Sequence, residues 1–94
     1  MPNSARQIDA IDAHIVALLG ERFAMVREVA AYKRPLGIPA VIPERVAEVG
    51  ERCVTAAKVV GLRADFIRRL RTLIIDEACR LEDDMIRSAG EGSG

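Results

Sequence analysis

The chain has 94 residues, enough for one small domain near the size at which a single hydrophobic core is marginal. Half of it is hydrophobic, yet it holds two Phe, one Tyr and no Trp, a composition that suits a close-packed helical core of Ala, Val, Ile and Leu. Fourteen basic and fourteen acidic residues give zero formal net charge, which leaves no global field to attract DNA, RNA or an anionic membrane.

Helix one is predicted from about Ser4, a residue type favoured at an N-cap, to about Arg34, where Pro35 forbids continuation. Within it Ile8, Ile11, Ile15, Leu18, Leu19, Val26 and Val29 recur at helical spacing. A loop over Pro35–Ile42 follows, punctuated by Pro35, Gly37 and Pro39. Pro43 suits the first position of helix two, with Glu44 in its first turn. The apolar face of that helix is Val46, Val49, Cys53, Val54, Ala57 and Val60, and Gly61 ends it. Helix three is predicted from about Ala64 to Arg87, with Phe66, Leu70, Leu73, Ile74, Ala78, Leu81 and Met85 inward. No strand alternation occurs, so the fold class is all-α, one domain over residues 1–89, with a flexible tail at 90–94. Cys53 and Cys79 fall among apolar residues and read as reduced core thiols rather than a metal site or a disulfide. The opening MPNSARQIDAID is polar and no apolar run approaches about 18 residues, which reads as a cytoplasmic chain without a signal peptide or membrane span.

Helix one is too long for its own neighbours. About thirty residues span roughly 45 Å, whereas a compact chain of this size has a radius of gyration near 13 Å. A second copy must supply the missing cover, most simply through a two-fold axis, so an intertwined homodimer is expected. The alternative is a hinge at Gly20, which has no Pro to cause it.

Two cations interrupt the apolar stripe of helix one. At ~100° per residue Arg22 lies within roughly 40° of Ile15, Leu18, Val26 and Val29, and Lys33 continues the line. They face the same way about 16 Å apart. Either both snorkel, with stems on apolar surface and heads in water, or a small dianion meets them, because no Asp or Glu shares the stripe. Arg45 opens helix two beside the loop, although Glu48 and Arg52 show that charges there can form ordinary solvated pairs. Glu82 is the reverse anomaly, set among Ile75, Ala78, Cys79, Met85 and Ile86. It either reaches solvent, pairs with Arg71 or a partner-chain cation, or donates a hydrogen bond while protonated. Arg6 lies some 160° around the helix from Arg22, so it could serve such a pocket only from a second chain, or be solvated. Arg63, Arg68, Arg69 and Arg71 interleave with Asp65, Asp76 and Glu77 and read as a solvated face. His14 has no visible partner, and no Gly-rich phosphate loop, zinc spacing or nucleophile motif occurs.

Four segments together, QIDAIDAHIVALLGERF at 7–23, YK at 32–33, IPERV at 42–46 and LIIDEACRLED at 73–83, resemble the all-helical chorismate mutase family. The likeness covers about residues 4–87, and the run Arg22, Lys33, Arg45 matches the family's order of cationic site residues. It implies an intertwined dimer with two pockets, each completed by an N-terminal Arg of the other chain. It also implies a [3,3] rearrangement of chorismate to prephenate without cofactor, metal or covalent intermediate, by holding a chair-like conformer and stabilising charge on the ether oxygen. Carried over, Arg22 clamps a substrate carboxylate, Lys33 bonds the ether oxygen, and Arg45 orders the substrate beneath the loop. Glu82 stands where many members have Gln, and it can donate to the ether oxygen only when protonated.

Three departures bear on the substrate. Ala5 stands at the family's N-terminal Arg position, with Arg6 one residue on. Ile42 and Val46 fill positions that often carry acids binding the ring hydroxyl. PERV with Val after the Arg is similar to the related isochorismate-pyruvate lyases, while other relatives rearrange 4-amino-4-deoxychorismate. The sequence therefore implies a chorismate-mutase-type enzyme, with a lyase giving salicylate and pyruvate as the alternative, and a non-catalytic helical dimer as the reading from another class.

Overall fold

The structure, a computed structural model, describes residues 3–39 and 42–92, with side chains up to residue 88. Three helices carry the fold, α1 (Ser4–Lys33), α2 (Pro43–Val59) and α3 (Ala64–Gly92), and no strand occurs among the described residues. Asn3, not Ser4, occupies the N-cap position of α1, and its carbonyl accepts the Gln7 N–H at 3.0 Å. At the other end Pro35 does not stop the chain abruptly. Arg34–Leu36 adds one tighter 3₁₀ turn, which tolerates Pro35 because a first-turn N–H has no partner to lose. Residues 40 and 41 of the expected loop lie outside the described residues.

Both helical segments that precede loops end in the same way. Gly37 takes φ 71° and Gly61 takes φ 81°. Around Gly61 the Leu62 N–H donates to Ala57 O at 2.9 Å and the Gly61 N–H to Lys58 O at 3.2 Å, the paired bonds of a Schellman cap. A side chain added at Gly61 meets nothing within 4 Å, so the penalty there is purely that of left-handed backbone. Gly61→Ala is expected to destabilise the fold by about 1 kcal/mol, read as a lower urea midpoint with an unchanged slope.

At the start of α2, Pro43 takes the first helical position after an extended Ile42, and Glu44 lies in the first turn. At the end of the chain α3 runs past the expected stop near Arg87, so no backbone break separates 89 from 90. Residues 93 and 94 of the expected tail lie outside the described residues.

α3 is the spine: α1 and α2 both pack on it but not on each other. The deepest residues are small, Ala30, Val54, Ala57 and Ala78, which lets helix backbones approach closely. The width of α3's apolar arc exceeds what two neighbours can cover. Ile67, Ile74, Ile75 and Leu81 are half-buried, whereas Phe66, Leu70 and Leu73, expected inward, are exposed, Leu73 at 68%. Cys79 likewise corrects the reading of two core thiols. Cys53 is half-buried, but Cys79 is exposed. Partial desolvation, with Glu82, Asp83 and Asp76 nearby, raises the Cys79 thiol above its ordinary value, so it remains protonated and weakly nucleophilic at neutral pH.

The N-terminal half of α1 projects beyond the other helices. Ile8, Ile11 and Ile15 stay 57%, 59% and 50% exposed, the chain measures 59 × 29 × 17 Å, and its radius of gyration is 16.7 Å, against about 13 Å for a compact chain of this size. No helix among the described residues is long and apolar enough to cross a membrane.

Candidate functional site

Because α1 and α2 meet only through α3, a cavity of about 320 Å³ opens between them. α1 contributes Arg22, Met25, Val26 and Val29; the start of α2 contributes Ile42, Arg45, Val46 and Val49; α3 forms the floor with Arg71, Ile75 and Ala78. Three guanidinium groups therefore share a mainly aliphatic wall, and no described carboxylate lines it.

Two of these cations are incompletely satisfied. One terminal nitrogen of Arg22 (Nη1) and Nε of Arg71 are buried without a hydrogen-bond acceptor from the protein. Leaving a buried donor unmatched costs about 1–3 kcal/mol, more for a charged group. Arg22 lies half-buried beside its neighbour Phe23, with Cζ 5.9 Å from the ring centroid. Arg71 donates through Nη2 to the Val46 carbonyl at 3.3 Å, which ties α3 to α2, and it borders both this cavity and a neighbouring one that includes Glu51 and Asp76. Arg45 is exposed in the first turns of α2, where the helix N-terminus adds positive potential. Glu48, one turn on, pairs with Arg52. Such an array suits a compact anion, held by bidentate, charge-assisted hydrogen bonds.

The residues singled out from the sequence fall into three groups. Arg22 and Arg45 share the cavity. Glu82 lines a second cavity of about 290 Å³ with Arg34, Ile38 and Met85, where Arg34 donates to the Met85 carbonyl at 3.2 Å. The two cavities follow one another along the groove between α1 and α3, because Val29 and Ala78 line the first, and Ala30 and Glu82 the second. Lys33 is half-buried at the end of α1, one turn past Val29 on the same face, and lines neither the Arg22 cavity nor the Glu82 cavity. Arg6 is exposed on the projecting part of α1, about 24 Å along the axis from Arg22, too far to serve the cavity of its own chain.

Arg71 was hidden from sequence reasoning by its neighbours. The solvated-face reading holds for Arg69, which pairs with Asp65 at 3.8 Å in solvent, but it is corrected for Arg71. At ~100° per residue Arg71 lies within roughly 40° of Ile67, Ile75 and Ala78, the same test that exposed Arg22.

Fold and cavity together define a class: a small all-helical domain with a cationic cavity, in which no described carboxylate competes for an anion. The chain belongs to the chorismate mutase type II family, whose model matches residues 5–83. It is 34% identical over 84 residues to the 4-amino-4-deoxychorismate mutase of Streptomyces pristinaespiralis, covering 89% of this chain and 65% of that protein. It is also 34% identical over 77 residues to the 4-amino-4-deoxychorismate mutase of Streptomyces venezuelae, covering 82% of this chain and 75% of that protein. The T-protein of Enterobacter agglomerans is 31% identical over 78 residues, 83% of this chain but 21% of its own length. No solved structure matches the chain significantly.

Proposed function

We propose that this chain is a cytoplasmic chorismate-mutase-type isomerase, acting as an intertwined homodimer on chorismate or its 4-amino-4-deoxy analogue by a [3,3] rearrangement. The observation that carries the reading is the aliphatic cavity in which Arg22 and Arg71 keep buried donors without protein acceptors, in a chain of this family. The reaction is intramolecular, so it needs a shaped, electrostatically complementary site rather than a cofactor, metal or nucleophile.

In this mechanism Arg22 grips one carboxylate in bidentate fashion, and Arg45 orders the substrate where α2 begins. Arg6 of the second copy supplies the outer wall, since the exposed stripe of Ile8, Ile11 and Ile15 calls for cover. Lys33, three turns past Arg22 on α1, and Glu82, one turn past Ala78 on α3, act on the ether oxygen whose negative charge grows as the bond breaks. The two relatives named for the amino analogue support that compound as a substrate beside chorismate.

Incubation with chorismate, 4-amino-4-deoxychorismate and isochorismate, followed by mass spectrometry, tests the assignment. Prephenate or its amino counterpart supports it. Pyruvate with salicylate from isochorismate establishes the lyase reading, which the aliphatic Val46 after Arg45 favours. Turnover of none of the three leaves a non-catalytic helical dimer.

A carboxyl donates a hydrogen bond only while protonated, whereas an amide donates at any pH. Glu82→Gln, which places an amide donor at the same point, is therefore expected to retain activity, and Glu82→Leu, which has no donor, to lose most of it. A kcat/KM unchanged by both substitutions removes Glu82 from the mechanism.

A further inference from the structure

We propose that Arg71 is a specificity-determining residue of this cavity, selecting a ring dicarboxylate that bears a neutral oxygen substituent over one that bears a protonated amine. The proposal rests on the mutase-type reading above and narrows its substrate. Arg71 rises from α3 between two cavities: one walled by Val46, Val49, Ile75 and Ala78 without a described carboxylate, the other, on its far side, bordered by Glu51 and Asp76. Its bond to the Val46 carbonyl holds the guanidinium against α2, and its Nε is buried without a protein acceptor. A guanidinium only donates, so the matching ligand atom must accept. With Arg22 and Arg45 directed to carboxylates, Arg71 is left to meet the ring's remaining polar substituent.

A hydroxyl oxygen accepts and carries no charge. An amine protonated at neutral pH has no lone pair and repels a guanidinium. A cavity of about 320 Å³ is roughly 9 Å across if compact, so an ammonium anywhere inside lies within a Debye length of all three arginines. The aliphatic Ile42 and Val46 offer it no compensating acceptor. Like-charge juxtaposition is a standard device for rejecting the wrong ligand. The selection must fade with rising pH, because the neutral amine regains its lone pair.

The test compares kcat/KM for chorismate and 4-amino-4-deoxychorismate between about pH 6 and pH 9 in the wild type, Arg71→Leu and Arg71→Gln. The glutamine amide keeps an uncharged polar donor where the arginine carries Nε, so it covers the case in which Arg71→Leu fails to fold. The expected result is a wild-type preference for chorismate of about tenfold or more at the acidic end, shrinking as pH rises. In the variants that preference collapses to about twofold, loses its pH dependence, and does so chiefly through KM for the amino compound. A wild type that prefers the amino compound at low pH overturns the proposal. So does a substrate ratio unmoved in Arg71→Gln while chorismate is still turned over. Failure of the wild type to turn over either compound instead sinks the mutase reading, and this inference with it.

Discussion

Arg22→Met is expected to lower kcat/KM for chorismate by about 10²–10⁴-fold while leaving the unliganded protein at least as stable as the wild type. The two halves of this outcome have one cause. In the free protein the Arg22 guanidinium has a buried nitrogen without a protein acceptor, and exchanging an unpaired buried charge for an apolar side chain of similar volume is neutral or stabilising. In the proposed complex a substrate carboxylate matches the same group, so its loss would remove a charge-assisted bidentate contact. Steady-state kinetics and urea denaturation read the two effects separately. A dicarboxylate mimic of the transition state supplies a third reading. At about 100 times its Kd it is expected to stabilise the wild type by ~2.7 kcal/mol, a rise of about 10 °C or more for a chain of this size, and Arg22→Met is expected to abolish that rise at the same concentration. Lost stability with retained activity and retained thermal response would make Arg22 a structural residue, as the non-catalytic dimer requires.

The parts of this molecule that a reader of the sequence can locate are those fixed by local backbone chemistry. Pro43 opens α2 because an imino nitrogen costs nothing there, and Gly61 closes the α2 cap because φ 81° excludes other residues cheaply. Arg22 and Arg45 are readable for a related reason: each is a charge where helix direction or position demands explanation. Periodicity gives the direction of a side chain but not its depth, and this is why other features escape. Leu73 and Leu81 both lie on α3's broad apolar arc, yet only tertiary packing decides that Leu81 is half-buried and Leu73 exposed. Arg71 escaped because its sequence neighbours carry a genuine surface pattern of pairs such as Arg69 with Asp65. Axial position matters as well. Lys33 shares its line with Arg22, but 16 Å or so of helix separates the two, and Lys33 lines neither of the successive cavities in the groove.

The double substitution Ile11→Glu, Ile15→Glu is expected to convert a dimer to a monomer, lower the melting temperature and remove more than nine-tenths of the activity. Ile8, Ile11, Ile15, Val16 and Leu18 are each half or more exposed on the projecting part of α1. Covering the remainder of each is worth about 1 kcal/mol, so two copies gain on the order of 10 kcal/mol before the cost of association. Two carboxylates on that stripe oppose it by desolvation. Analytical ultracentrifugation measures the change, and a wild type that is monomeric and fully active at every concentration overturns it. Complementation tests whether the second copy completes the site. In a mixture of Arg6→Ala and Arg22→Met chains, a mixed dimer contains one site with both native arginines and one with neither. Random exchange therefore restores about a quarter of wild-type sites from two nearly inactive parents. If mass spectrometry shows mixed dimers but activity does not return, Arg6 plays no part in the partner's cavity, and the second copy supplies burial alone.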